Sequence, residues 1–451
     1  MARAGAPADE ALAPSGSRMK GALKARREGR RSIEEDVLLT AIFCLLALGS
    51  VMVYSASSAS SVVETGGAGT SLLVRYVVFG SLGFAALLVV SRMSLQRIME
   101  LTGPLLAVSF VLLLAVKVPG LGVSVNGAQR WLGAGILQFQ PSEIAKIAVV
   151  LYCARFLAEK PNGFRTMGEL LPLGIVVGAT ALLVVTQPDL GTSLVLCATV
   201  GAMLVVAAVP MRWLFALAGA GSVLVLLFSL SASYRRDRLM SFLNPWDHAG
   251  DAGFQAVQGQ IAIGSGGLFG RGLGESVQKI FYLPEAHTDF ILAIIGEELG
   301  VIGLFALLLL FALVAWAGLR IAQQAQGRYA CLVAAGVTSL ILCQALLNVF
   351  TVLGLAPLTG VPLPFISYGS TSLVTLLVGV GLLLNVARGG TVKVRATAPA
   401  RSRQRTRPPD APRSTVDEQF EDFGQIEVFD RRGRDRRARG SGSGGRRRAS
   451  H

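Results

Sequence analysis

The chain has 451 residues, 52% of them hydrophobic and only 16% charged, against roughly 25% charged in soluble domains. Its mean hydropathy of +0.57 implies more apolar surface than a soluble interior of this size can hide, so a bilayer must take part of it. A net charge of +14 suggests nucleic acid at first, but residues 1–36 and 388–451 hold 25 of the 42 Lys and Arg, and the 351 residues between them are nearly neutral at +3. A folded part without a basic face argues against nucleic acid as a partner.

Residues 1–36 are polar and basic and precede any apolar run, so no cleavable signal peptide is expected. A bilayer crossing needs about 20 mostly apolar residues. Such stretches lie near 37–55, 72–91, 101–118, 141–158, 170–186, 190–208, 212–230, 289–316, 330–353 and 371–388, ten in all. The fifth and sixth are parted only by Gln187-Pro188-Asp189 and can be read as one broken helix. The expected fold is all-α: a polytopic integral membrane protein of about ten transmembrane helices over 37–390, with a long external loop, 231–288, between spans seven and eight.

Loop charge sets the orientation, because Lys and Arg favour the cytoplasmic side. The N-terminal tail and the loops with Arg92 and Arg97, Lys160 and Arg165, and Arg320 and Arg328 fall on that side. Loops 56–71 and 354–370, which have no Lys or Arg, fall outside. Both termini are then cytoplasmic, in the cytoplasmic membrane. The 231–288 loop counts as external yet carries five Lys and Arg. Long loops translocate largely regardless of charge, and external cations suit an anionic ligand. The tail at 391–451, rich in Arg, Pro, Ser and Gly, is expected to be disordered, either simply solvated or drawn to anionic lipid. The five Cys lie in apolar stretches and read as small buried hydrophobes. The three His are too scattered for a zinc site.

Ionisable residues at membrane depth are functional candidates by default, and four places hold them. In FQPSEIAK, Pro141 can open a helix with Glu143 in its first turn, where a carboxylate suits the dipole. Glu143 and Lys146 share a helix face at i,i+3. Lys146 can hold a phosphate there, with Arg130 in the preceding loop, or the pair is a local ion pair. In QPDLGTS, Asp189 is placed as a helix N-cap, a structural role.

The third place is the long loop. Phe254, Val257 and Ile261 recur at helical spacing, as in an interfacial amphipathic helix. The glycines at 264–274 do not match a nucleotide-binding fingerprint and read as backbone close to a ligand, or as a loop. PEAHTDF follows, with Glu285, His287, Thr288 and Asp289 at the mouth of a span. Asp289 is either a general base facing outward or, with Thr288, a helix cap. Glu297 and Glu298 lie about 12–14 Å further along at 1.5 Å per residue. They must face the interior or pair, as a structural brace. The fourth is GVPLPFISYGSTS, where Ser367 and Tyr368 can bind a polar head group or cap the last span.

Six motifs in order, NGAQRWLGAG, FQPSEIAK, QPDLGTS, AIGSGGLFGRGLG, LPEAHTDFILAIIGEELG and PLPFISYGSTS, resemble the SEDS family of bacterial membrane proteins over about residues 36–390. FYLPEAHTDF and the PLPFISYG ending look more like the family's division member than its elongation member; the sporulation member is very close to the division one. The resemblance implies a peptidoglycan glycosyltransferase that polymerises lipid II outside the cytoplasmic membrane, beside a class B penicillin-binding protein and other divisome membrane proteins. It implies Asp289 as the catalytic residue, Glu143 and Lys146 as its functional Glu-x-x-Lys pair, and Arg130 as the basic residue of the NGA-x-RW run. Two departures stand out: Ser370 follows Gly369 where a second glycine is common, and Gly259 follows Gln258 where serine is common.

The chemistry so implied is inverting transfer with a single carboxylate. The sequence points to no definite cofactor, with a divalent cation, Mg or Mn, as an option beside Lys146 and Arg130 at the diphosphate. A lipid II flippase is the rival reading. It needs a polar path reaching both sides, whereas the strongest motifs here cluster on the external side. A third reading, a division scaffold, rests only on the tails.

Overall fold

The structure is a computed structural model and describes residues 32–65, 70–125, 128–134, 137–160, 163–164, 166–230, 236, 240–251, 253–280, 283–284 and 286–392. Residues 1–31 and 393–451, nearly all of the two tails, most of 231–239 and Glu285 lie outside the described residues.

Each apolar stretch forms a helix. In chain order these are α1 (Ile33–Thr65), α2 (Ser71–Arg92), α3 (Leu95–Ala115), α4 (Pro141–Ala158), α5 (Leu171–Val185), α6 (Leu190–Val206) and α7 (Met211–Leu230). The shorter α8 (Phe254–Gly266) follows, then α9 (Ile291–Gln324), α10 (Arg328–Val352) and α11 (Ser370–Ala387). Among the described residues, seven helices are long and apolar enough to cross a membrane by length and composition. The other three candidate spans are α6, which is shorter, α7, whose apolar part is Met211–Leu227, and α4, which carries Glu143, Lys146 and Arg155. Gln187-Pro188-Asp189 separates two helices and does not kink a single one. Proline cannot supply the N–H that a continuous helix needs, and Asp189 caps α6 by accepting the Thr192 N–H at 3.1 Å.

The all-helix expectation misses one feature. Between α3 and α4 the chain folds into three antiparallel strands, β1 (Gly122–Val125), β2 (Ala128–Ala134) and β3 (Leu137–Phe139), in the order β1-β2-β3. Val125 pairs with Ala128 and Leu132 with Phe139. Asn126-Gly127, between β1 and β2 in the sequence, is the dipeptide most suited to a two-residue hairpin.

Helices α10 and α11 form the interior, with 67% and 72% of their apolar windows buried, against 17% for α2 at the periphery. Helix α11 packs on α2, α10 on α4 and α6, and α9 on α1 and α10. Small residues let backbones approach, as they do between helices in lipid: a Cβ on Gly381 of α11 would meet Leu87 O of α2. Asn385 then ties the two helices at one end, donating to Val90 O at 2.9 Å and Met93 O at 2.5 Å.

Helix α8 is present where helical spacing predicted it, but its buried face differs. Val257 is buried while Ile261 is 38% exposed, and the packed face is made of Gly259, Ala262 and Gly266. These small residues let α8 lie close on α9: a Cβ on Gly259 would meet the Phe290 ring.

Helix α9 is broken. A continuous 34-residue helix would run about 51 Å, far beyond a hydrocarbon core of about 30 Å. Gly300, at φ +67°, divides it into a short piece, 291–299, and a spanning piece, 301–324. The backbone groups freed by the break are satisfied by the glycine-rich run. Val301 N donates to Gly267 O at 3.0 Å and Ile302 N to Leu268 O at 3.2 Å, while Arg271 N and Gly272 N donate to Glu297 O and Glu298 O at 3.0 and 3.1 Å. A Cβ on Gly300 would collide with Gly270 N. The glycines therefore serve backbone-on-backbone packing, the condition for irregular chain inside an apolar bundle.

Candidate active site

Pro141 opens α4, and Ser142, Glu143 and Lys146 are all buried on it. Proline suits the first helical position because its fixed φ is helical and its missing N–H would have no partner there. Lys146 Nζ lies 3.0 Å from Glu143 Oε2 and donates to Gln344 Oε1 at 2.7 Å. Two buried charges thus face each other, and an amide from α10 gives the ammonium a second partner. Gln344 passes its own amide protons to Pro362 O at 3.0 Å and Ser372 Oγ at 3.4 Å.

One helical turn further along α10, Asn348 donates to Asp289 O at 2.7 Å and to Val361 O at 2.8 Å. Asp289 ends the turn that leads into α9. Its carboxylate is half-buried, and Oδ1 accepts from Thr288 Oγ1 at 3.2 Å. Phe290 occupies the N-cap position of α9 without a side-chain capping bond, so the reading of Thr288 or Asp289 as that helix's cap is not what the geometry displays. Gly360 lies over the carboxylate, since a Cβ there would sit 3.9 Å from Asp289 Oδ2.

The last loop closes on the same turn. Tyr368 N donates to His287 O at 3.0 Å, and the His287 and Tyr368 rings are 6.0 Å apart at 50°. Ser367 is buried and accepts the Leu363 N–H at 2.8 Å, so its hydroxyl holds the loop's own shape. Phe365 is fully buried at φ +64°, a left-handed conformation uncommon for a bulky residue and a form of stored strain. Tyr76 of α2 holds it there, donating to Phe365 O at 2.5 Å.

Arg130 grips protein, not open space. It lies on β2 and donates from Nε to Gln187 O at 3.1 Å and from Nη2 to Pro188 O. Asp189 beside them accepts from Gln140 Nε2 at 3.0 Å as well as from Thr192 N. The sheet, the entry to α4 and the α5–α6 turn are thereby fastened together.

Glu297 and Glu298 are 1% exposed and both paired. Glu298 Oε1 lies 2.9 Å from Lys279 Nζ and accepts from Ser55 Oγ at 2.6 Å. Glu297 accepts from Ser276 Oγ at 2.5 Å and Val277 N at 3.1 Å, with Arg271 Nη1 at 3.6 Å. Both carboxylates pin the 271–279 segment to the break in α9.

The structure thus joins Glu143, Lys146, His287, Thr288, Asp289, Ser367 and Tyr368 through shared partners, and sets Arg130 and Asp189 in an adjoining clasp. The sequence reading missed Gln344 and Asn348, which make the connection. Two amides one turn apart in an otherwise apolar span were their signal. Among the described residues no three His, Cys, Asp or Glu converge to hold a metal ion.

Residues 36–391 match the family described as "Cell cycle protein", FtsW/RodA/SpoVE. The chain is 41% identical over 356 residues to the stage V sporulation protein E of Bacillus subtilis, covering 78% of this chain and 97% of that one. It is 38% identical over 352 residues to the probable peptidoglycan glycosyltransferase FtsW of Geobacter sulfurreducens, covering 78% and 94%. Among solved structures, a chain from "Structural coordination of polymerization and crosslinking by a peptidoglycan synthase complex" matches with a TM-score of 0.65 at 29% identity, covering 78% and 96%. The rod shape determining protein RodA of Thermus thermophilus matches with a TM-score of 0.57 at 29% identity, covering 78% and 95%. With nearly the full length of these relatives matched and the same polytopic helical fold, the chain belongs to the FtsW/RodA/SpoVE family of multi-pass membrane proteins.

Proposed function

We propose that this chain is a peptidoglycan glycosyltransferase that polymerises lipid II at the outer face of the cytoplasmic membrane, for septal wall synthesis in division. A class B penicillin-binding protein works beside it, and both its termini are cytoplasmic. The observation that carries the reading is the Asp289 carboxylate, half-buried at the mouth of a broken helix and tied through α10 to the buried Glu143–Lys146 pair.

The reaction joins the 4-hydroxyl of one lipid-linked disaccharide to the anomeric carbon of a growing strand. A sugar hydroxyl is a weak nucleophile at neutral pH, and a positioned carboxylate activates it by taking its proton. Asp289 takes that proton as the oxygen bonds to carbon. The bond from the anomeric carbon to the polyprenyl diphosphate breaks, and its electron pair leaves on the diphosphate. That leaving group needs positive charge more than an acid; Lys146, held by Glu143, is the cation assigned to it, and substrate binding has to uncover it from its buried pair. Arg130 is committed to Gln187 O and Pro188 O and supports the adjoining turn. His287, Thr288 and Tyr368 line the approach to the carboxylate, with Glu285 in the same run, and Ser367 keeps the covering loop in shape.

Polymerisation of lipid II by the purified chain with its penicillin-binding partner tests this. Asp289→Ala should make no glycan while still binding the partner. Glycan from Asp289→Ala would sink the assignment. A fluorescent fusion of the full chain should gather at division sites; uniform labelling of the side wall would remove the septal part.

A further inference from the structure

Asn348 stands outside all six motifs that carry the family resemblance, yet it fixes the backbone of the proposed base. Its side chain is 1% exposed. Both amide protons are used, on Asp289 O and Val361 O. One planar group therefore ties the turn that presents Asp289 to the segment that runs into Gly360, over the carboxylate. Its Oδ1 is buried without a hydrogen-bond partner. The two donated bonds satisfy two carbonyls that an apolar residue of the same shape would leave without a partner, at about 1–3 kcal/mol each, so the amide is held here by what it joins. Gln344 does the matching task one turn away, holding the Lys146 ammonium on one side and Pro362 O on the other.

We propose that Asn348 is a positioning residue for Asp289: it locks the Asp289 carbonyl to the Val361 carbonyl and so fixes where the carboxylate can point. The inference rests on the reading of Asp289 as the base. Without the lock, the turn can rotate and carry the carboxylate away from the hydroxyl. A misplacement of about 1 Å at a reacting group costs on the order of 100-fold in rate.

The test uses the purified full chain with its penicillin-binding partner and lipid II. It compares wild type, Asp289→Ala, Asn348→Ala and Asn348→Ser. The Asn348 variants should lose about 10- to 100-fold in kcat, with KM for lipid II within about threefold, as expected for a group that orients another. The acid limb of the kcat profile should also move, because the surroundings of the Asp289 carboxyl change. Activity in the wild type and none in Asp289→Ala secures the underlying reading separately; an inactive wild type would remove that reading. With that control met, an unchanged kcat, a loss carried by KM, or a loss with the acid limb in place overturns the proposal. Asn348→Ser keeps one donor and is read alone if Asn348→Ala does not accumulate. If neither variant accumulates, Asn348 is structural and the proposal falls.

Discussion

Tyr368 donates its backbone N–H to the carbonyl of His287 at 3.0 Å. This bond joins the loop before α11 to the turn before α9, two residues from Asp289. The two motifs are far apart in the chain and meet backbone to backbone. The turn that carries the carboxylate is therefore held from two sides, by the Tyr368 backbone on one and the Asn348 side chain on the other.

Position as well as charge is then expected to matter at residue 289. Asp289→Asn should lower polymerisation by roughly 100- to 10,000-fold, the usual worth of a general base. Asp289→Glu keeps the carboxylate but moves it by about one bond, and should still lose on the order of 100-fold. Glycan yield from lipid II on gels separates the two. A Glu variant as active as wild type would mean that charge alone suffices.

The Glu143–Lys146 pair is nearly inaccessible, with side chains 3% and 2% exposed. Removing one partner of a buried pair strands the other charge and costs about 3–5 kcal/mol. Lys146→Met should therefore lower the thermal unfolding midpoint sharply in detergent. The double variant Glu143→Leu with Lys146→Met should recover stability without recovering polymerisation. A double variant that polymerises normally would reduce the pair to packing.

The break in α9 makes a separate forecast. Gly300→Ala places a Cβ at positive φ and against Gly270 N, and a left-handed non-glycine residue alone costs about 1–3 kcal/mol. The 267–279 segment should then come loose, read as new protease cutting in that stretch. Glu298→Gln should act in the same direction, because it removes the charge that holds Lys279. Protection equal to wild type in both variants would mean that the segment is held by other contacts.

Tyr76→Phe removes the donor to Phe365 O, and a buried carbonyl that loses its partner costs about 1–3 kcal/mol. Amide hydrogen exchange across 361–368 should quicken while the helices around it keep their protection. No change in exchange there would show that the left-handed Phe365 is held without Tyr76.

Much of this was legible in the sequence because bilayer crossing leaves a coarse signal. Every predicted span is a helix, and Asp189 caps α6 as its type and place suggested. The short sheet at 122–139 was harder, since its strands lie in a run that also suited a ligand loop. The glycines at 264–274 could not be read because their partner is the backbone of a helix break further along the chain. Arg130 looked available to an anion, and only the fold reveals the carbonyls of Gln187 and Pro188 beneath it. Gln344 and Asn348 escaped notice because amides carry no charge to mark them, and their importance lies in what they connect.

The division of α9 at Gly300 has a mechanical consequence. Spanning helices answer a thicker or thinner bilayer by tilting. Both pieces of α9 are bonded to the 267–272 backbone, 291–299 through Glu297 O and Glu298 O and 301–324 through Val301 N and Ile302 N. The break is therefore a clamped corner and not a hinge, so the 267–272 run has to move with any tilt of the spanning piece.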